Sequence, residues 1–252
     1  MYANLKKKYG QNFLIDKNIT NKIVNLIENN NLNILEVGPG DGKLSEKLID
    51  KKPKRLDLIE IDKDLLENLN KNFQKLKFVN IINQDFLKFN LDFNYDLIIS
   101  NLPYNLSSKI LEKIILSKNI PKTMILMFQK EFAARLIAKN LNSINSLVNC
   151  FFDVKFKFNV SKNCFRPVPK VESCILKFEK LNRNLIKKNK IEKFIEFKRY
   201  IFSYKRKSLR KILKGHTIKD TSKLDLRAEK LTLKEFVEIF KELNPKFINK
   251  LS

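Results

Sequence analysis

Apolar and polar positions divide the chain near Leu181–Lys190. Before that stretch, short apolar runs alternate with segments of helical spacing; after it only helical spacing remains. Asn33–Val37, Arg55–Glu60, Phe78–Ile82, Leu97–Ser100 and Met124–Phe128 are short apolar runs, the pattern of buried parallel strands. Cys150–Phe158 alternates apolar and charged residues as a half-exposed strand does, and Cys174–Phe178 is a last strand. Helical spacing is predicted over Ile19–Ile27 with Asp16 as a cap, Lys43–Ile49, Ser107–Leu116 and Gln129–Lys139. Leu181–Lys190 is polar and basic, as a linker is, and helices are predicted over Ile191–Leu213, Leu224–Ala228 and Leu233–Phe240. The expected architecture is an open α/β sheet over 1–182 and a small all-α domain over 183–252.

The ends of the predicted strands carry the chemistry, because ligands of open α/β sheets sit outside the carboxyl ends of the strands. The run Asp96–Ser100 stops in Asn101-Leu102-Pro103-Tyr104. Pro103 fixes its own φ and biases Leu102 towards extended geometry, so the Asn101 amide and the Leu102 carbonyl can face one cleft with Tyr104 beside them. Two acceptors and an aromatic face suit a planar base with an exocyclic amine; the same tetrapeptide would also serve simply to end a strand. Upstream, Asn33–Val37 runs into Gly38-Pro39-Gly40-Asp41-Gly42 and then a helix. This is not the dinucleotide fingerprint, since position 43 is Lys, and with Glu36 and Asp41 flanking the turn a nucleoside carrying a zwitterionic amino-acid tail fits better than a pyrophosphate. Glu60 ends the second strand about 20 residues on, placed to accept ribose hydroxyls. Asp85 follows the third strand and could accept from an adenine amino group, with Ile61 and Phe86 as apolar walls. Phe165, just before Arg166-Pro167 in a proline-stiffened loop, is either a second stacking plate or a core anchor.

Composition narrows the partner. Lys+Arg total 51 against 27 Asp+Glu, a formal net charge of +24, which points to a polyanion, nucleic acid before a membrane surface. Phe202–Lys211 interleaves cations with aromatics, and Lys205, Arg206, Lys207 and Arg210 are the candidate phosphate contacts; a solvated helix face is the plainer alternative. No apolar segment is long enough to span a bilayer and Met1–Lys8 lacks a signal-peptide core, so a cytoplasmic location is expected. Cys150, Cys164 and Cys174 form no CxxC pair and His216 is the single histidine, which argues against zinc and against Ser-His or Cys-His catalysis.

Taken together, Gly10–Leu14, Glu36–Gly42, Gln84–Leu87, Asn101–Ser108, Gln129–Ala133, Phe165–Ser173 and Arg227–Leu231 resemble, in content and order, the ribosomal RNA adenine dimethyltransferases. The resemblance covers most of the chain. It implies a seven-stranded, mostly parallel class I (Rossmann-like) methyltransferase domain using S-adenosylmethionine, followed by a helical domain that binds ribosomal RNA. It assigns cofactor contacts to Asn12, Leu14, Gly38, Glu60, Asp85 and Asn101, to which the glycine turn and the apolar walls add Gly40, Ile61 and Phe86 as candidates. To the target base it assigns Asn101, Leu102, Tyr104 and Phe165, with Pro103 a further candidate as the residue that stiffens the turn. Within the family, Asn101–Ser108 and Phe202–Arg210 look more like the branch that dimethylates two neighbouring adenosines near the 3′ end of small-subunit RNA, in a 30S-type particle, than the branch that methylates one large-subunit adenine. Tyr204-Lys205 departs from the paired arginines more usual there. A monomer with no metal and no membrane is expected. DNA adenine and protein glutamine methyltransferases share the amine chemistry but usually carry a second proline where this chain has Leu102. A non-catalytic assembly factor is the rival from another class.

Overall fold

A computed structural model of the protein describes residues 12–215, 218 and 221–243. Residues 1–11, with the lysines at 6–8 and Gly10-Gln11, and the single histidine, His216, lie outside the described residues. Two compact units form: one from the described residues up to Ala133 with Lys155–Lys180, the other from Ala134–Val154 with the described residues from Leu181 on.

The first unit is built on a seven-stranded sheet. Its strands are β2 (Asn33–Val37), β3 (Arg55–Glu60), β4 (Val79–Asn83), β5 (Leu97–Asn101), β6 (Thr123–Gln129), β7 (Phe152–Val160) and β9 (Ser173–Lys180). Their order is β4-β3-β2-β5-β6-β9-β7. From β4 to β6 the strands are parallel, whereas β9 runs against β6 with Gln129 opposite Ser173. The order reverses between β2 and β5, so the crevice for a ligand opens beyond Val37 and Asn101. Leu35, Ile99 and Leu126 in the central strands are fully buried, which is why these strands read as continuous apolar runs. A separate two-stranded ribbon pairs β1 (Phe13–Leu14) with β8 (Phe165–Arg166), Leu14 opposite Phe165.

The helices start where the sequence supplies caps. Asp16 accepts from Asn18 N and Ile19 N to open α1 (Lys17–Val24), Gly42 at φ 83° opens α2 (Lys43–Ile49), and Asp62 opens α3 (Lys63–Phe73). A single 3₁₀ turn, Tyr104–Leu106, leads into α4 (Ser107–Leu116), and α5 (Lys130–Leu136) follows β6. The predicted helix over Gln129–Lys139 ends earlier because asparagines take its last carbonyls. Asn142 Nδ2 donates to Arg135 O at 2.7 Å, and Asn145 Nδ2, at the start of α6 (Asn145–Val148), donates to Ala138 O at 3.1 Å.

In the second unit the single helix predicted over Ile191–Leu213 is two: α7 (Ile191–Ser203) and α8 (Leu209–Ile212). Ser203 Oγ bonds back to Tyr200 O at 2.7 Å, and the first amides of α8 go to distant carbonyls, Leu209 N to Leu226 O and Arg210 N to Leu224 O. Those same bonds keep Leu224 and Leu226 out of a helix. The helix predicted over Leu224–Ala228 is replaced by 3₁₀ turns at Thr221–Lys223 and Ala228–Lys230. A capping box joining Thr232 and Glu235 starts α9 (Leu233–Glu242). Phe194, Phe197, Phe236 and Phe240 from α7 and α9 form one buried aromatic cluster, with Phe194 and Phe240 edge to face at 5.0 Å.

Candidate active site

The glycine turn after β2 forms one wall of the crevice. Gly38 (φ 69°), Gly40 (φ 61°) and Gly42 all lie in the left-handed region. At Gly38 a Cβ would meet nothing within 4 Å, so the bare backbone faces open space. At Gly40 a Cβ would stand 2.9 Å from the Phe13 ring, which packs over the turn. Gly38 N donates to Ile59 O at 2.9 Å, tying the turn to the end of β3.

Three carboxylates surround this turn. Glu60 is buried at the end of β3, where Oε2 accepts from Gly40 N at 3.1 Å and Oε1 from Asp62 N at 2.9 Å. Burial raises its pKa, and those backbone bonds oppose the rise. Glu36, 2% exposed, accepts from Ser45 Oγ at 2.6 Å. Burial, reinforced by the Asp41 and Glu60 carboxylates and opposed by Ser45, pushes it up to about 8. Asp41 pairs with Lys43 at 2.9 Å on the rim. A carboxyl raised in the folded state stabilises the fold fully below its unfolded pKa, and that contribution is lost as pH rises through about 8. Glu36→Gln, neutral throughout, is therefore expected to gain stability relative to the wild type between about pH 5 and pH 9. Thermal melts across that range check this, and a constant difference between the two proteins would refute it.

The opposite wall is the end of β5 and the turn that follows. Asn101 Nδ2 donates to Asn12 O at 2.8 Å, which fixes the amide so that Oδ1 is the acceptor it has left. Ser100, one residue before, donates its hydroxyl to Val37 O and locks β5 to β2 at the rim. Leu102 is buried, Pro103 has φ −63° and ψ 122°, and Tyr104 is half-buried with its hydroxyl 2.7 Å from Ser173 Oγ. Asn12, Leu14, Gly38, Gly40, Glu60, Ile61, Asn101, Leu102, Pro103 and Tyr104 thus line one cleft. Ile61 is 40% exposed and, with Leu65, gives the cleft an apolar flank.

Three residues expected at the site are not among those lining this cleft. Phe165 is a correction: 0% exposed, it belongs to the core cluster with Leu14, Ile23, Val160 and Ile175, and it presents no face for stacking. Its pairing with Leu14 in the β1–β8 ribbon turns it inward. Asp85 and Phe86 follow β4, one strand beyond Glu60. There Asp85 Oδ1 accepts from Leu87 N at 2.9 Å, and Phe86 is buried with the Lys113 ammonium 6.0 Å from its ring centroid. Leu65, Ser100 and Ser173 were not singled out from the sequence. Phe13 with Leu14 is an aromatic-aliphatic pair that suggests a segment folding over a site, and its ring does pack against the glycine turn.

In the second unit Lys205, Arg206 and Lys207 are exposed on the turn after α7, with the Lys207 ammonium 4.6 Å from the Tyr204 ring centroid. Arg210 is committed within the unit: Nε and Nη2 bond the Asp225 carboxylate at 2.7 and 2.9 Å. The segment read as a linker instead anchors Ile186 in the interior and walls a groove of about 680 Å³ with Arg183, Lys187 and Lys190.

The family model described as ribosomal RNA adenine dimethylase matches residues 2–245. The "Ribosomal RNA small subunit methyltransferase A" of Mycoplasmopsis pulmonis is 41% identical over 258 residues, spanning 94% of this chain and 98% of that protein. The protein of the same description from Borreliella burgdorferi is 39% identical over 257 residues, spanning 95% and 89%. Among solved structures, a dimethyladenosine transferase from Plasmodium falciparum superposes with a TM-score of 0.79 at 23% identity, over 95% of this chain and 98% of that one. The 23S rRNA methyltransferase ErmE reaches 0.74 at 20% identity, over 92% and 99%. At such identities these two structures carry the fold alone.

Proposed function

Because the chain belongs to the ribosomal RNA adenine dimethylase family, we propose that it transfers methyl groups from S-adenosylmethionine to the N6 amines of two adjacent adenosines near the 3′ end of small-subunit ribosomal RNA. The observation that carries the chemistry is the Asn101 amide, whose Nδ2 donates to Asn12 O so that Oδ1 is left as an acceptor in a cleft that Leu102 and Tyr104 also line.

The cleft fits the proposed methyl donor. In a protein of net charge +24 it gathers the carboxyl groups of Asp41, Glu60 and the buried Glu36, acceptors for ammonium and hydroxyl groups and a poor surrounding for phosphate. Gly38 leaves open the space a side chain would fill, and Ile61 with Leu65 supplies a flank for an adenine ring. Glu60 would take the ribose hydroxyls on the lone pairs that Gly40 N and Asp62 N leave over. Asp85 and Phe86 would meet the adenine further along the same sheet edge. The bound cofactor supplies an activated methyl on a sulfonium, whose C–S electrons remain on sulfur as a neutral thioether when the N–C bond forms.

The protein's part is orientation. The N6 lone pair of adenine is delocalised into its ring and nucleophilic only when the nitrogen pyramidalises. Asn101 Oδ1 and the Leu102 carbonyl accept the two N–H groups and hold that geometry, while Tyr104 stacks on the ring; the released proton goes to water. Alignment of this kind is worth on the order of 7 to 11 kcal/mol in favourable intramolecular reactions. This route asks for no histidine base and no metal.

Lys205, Arg206 and Lys207 are the proposed phosphate contacts. Changing all three to Gln should reduce the slope of log K against log salt by about 2, at about 0.7 per single-stranded phosphate. Filter binding from low to moderate salt measures it; an unchanged slope would remove these residues from the interface. The function itself is tested by transfer of labelled methyl to undermethylated small subunits, large subunits and free RNA, with nucleoside analysis. Dimethyladenosine in small-subunit RNA is expected. Label confined to large-subunit RNA would reassign the substrate, and no label anywhere would leave a non-catalytic assembly factor.

A further inference from the structure

Ser173 is the first residue of β9 and is 0% exposed; it does not line the cleft itself, but its hydroxyl lies 2.7 Å from the hydroxyl of Tyr104, which does. The antiparallel register explains the meeting. Ser173 stands opposite Gln129 at the end of β6, and β6 pairs with β5, whose last residue Asn101 leads directly to Tyr104. Burial raises the Tyr104 phenol above its ordinary value, opposed by the Ser173 bond, and the two hydroxyls share a neutral hydrogen bond. Neither oxygen has a part in accepting the amine protons.

We infer that Ser173 is a positioning residue: its hydroxyl tethers the Tyr104 ring as a fixed plate for the target adenine, and the tether governs the second methyl transfer more than the first. The inference rests on the function proposed above and goes beyond it, to what decides between one methyl group and two.

The reason lies in counting anchors. Each round exchanges one N–H for one N–CH3, with the proton lost to water and the sulfonium left as a thioether. Before the first round the amine offers two N–H groups to two acceptors, Asn101 Oδ1 and the Leu102 carbonyl. After it only one N–H remains, so one in-plane anchor is gone. Orientation of the monomethylated base then falls on the remaining bond and on the stacked ring. A half-buried ring whose tether is cut can swing, and reaction geometry tolerates little misplacement. The loss therefore weighs on the second round.

The test uses the full chain and undermethylated small subunits in single-turnover time courses, with N6-monomethyl- and N6,N6-dimethyladenosine measured separately. Ser173→Ala is expected to slow the second transfer at least about fivefold more than the first, so that monomethyladenosine accumulates, with KM for the particle unchanged. Tyr104→Phe removes the other oxygen of the pair without changing the ring and is expected to give the same partition. The double variant should be no worse than either single one, because both cut the same bond. Equal slowing of both rounds, an unchanged product ratio or additive effects would overturn the inference. Should Ser173→Ala fail to fold, Tyr104→Phe alone decides the partition. A wild-type protein that made no dimethyladenosine would fail at the level of the proposed function, a result separate from any behaviour of the variants.

Discussion

Replacing Asn101 by alanine is expected to lower the rate of methyl transfer by about 10²- to 10³-fold, the range for loss of one preorganised polar group at a reacting centre. RNA affinity should hold within about twofold, since phosphate contacts elsewhere supply the bulk of it. The argument comes from the two ends of one amide. One N–H of Nδ2 donates to Asn12 O at 2.8 Å, and in the proposed role Oδ1 accepts an N–H of the target amine. Alanine removes both, so the nitrogen is no longer held pyramidal and the segment at Asn12 loses its bond to β5. Asn101→Asp separates the two effects. It keeps an acceptor but sets a carboxylate oxygen against the Asn12 carbonyl, so it should impair the order of the 12–14 segment even where an acceptor survives. Single-turnover rates with saturating particle measure both variants. Near-normal turnover in Asn101→Ala would eliminate the role given to this residue.

Gly40→Ala is the second large effect. A non-glycine residue in the left-handed region costs roughly 1–2 kcal/mol. Here the added Cβ would also stand 2.9 Å from two carbons of the Phe13 ring. The ring must move, and with it the strand whose next residue, Leu14, pairs with Phe165. Gly40 N also holds Glu60 at 3.1 Å, so a shift in the turn disturbs the carboxylate proposed to hold the ribose. Affinity for S-adenosylmethionine should fall by about 10- to 100-fold, which corresponds to about 1.4–2.8 kcal/mol. Adding Phe13→Ala removes the collision but not the backbone strain, so the double variant should recover part of the loss. Titration calorimetry on the four proteins of this cycle reads the coupling directly. Strict additivity would mean that Phe13 does not press on the turn.

Much of this site is legible in the chain because it lies on strand ends. Gly38, Glu60 and Asn101 close runs whose burial on both faces makes them readable, and parallel topology brings such ends to one edge whatever the details of packing. Phe165 shows the limit. Phe-Arg-Pro reads equally as an exposed plate or a core anchor, and the choice is made by the pairing of Leu14 with Phe165, a contact across about 150 positions that no local pattern encodes. Ser173 escaped notice for a related reason: a serine at the head of a strand is unremarkable until the antiparallel register sets it beside Tyr104. In the helical unit, periodicity placed α9 well yet carried α7 through Tyr204–Lys207, where the amides of α8 find their partners on Leu224 and Leu226 instead. Arg210 looked like one more free cation because its partner Asp225 lies 15 residues away on an irregular segment.

The segment from Asn12 to Leu14 is fastened at three points: Asn12 O to the Asn101 amide, the Phe13 ring to the glycine turn, and Leu14 to Phe165 in the β1–β8 ribbon. Two methylations of one amine consume two donors, so a spent donor must leave between them. Any departure that lifts this segment also unhooks Asn101 and loosens the hold on the adenine. On the proposed function, a donor exchange that lifts this segment would also give the RNA a chance to escape half-modified, so the fastening of residues 12–14 would bear on how often both methyl groups are added before release.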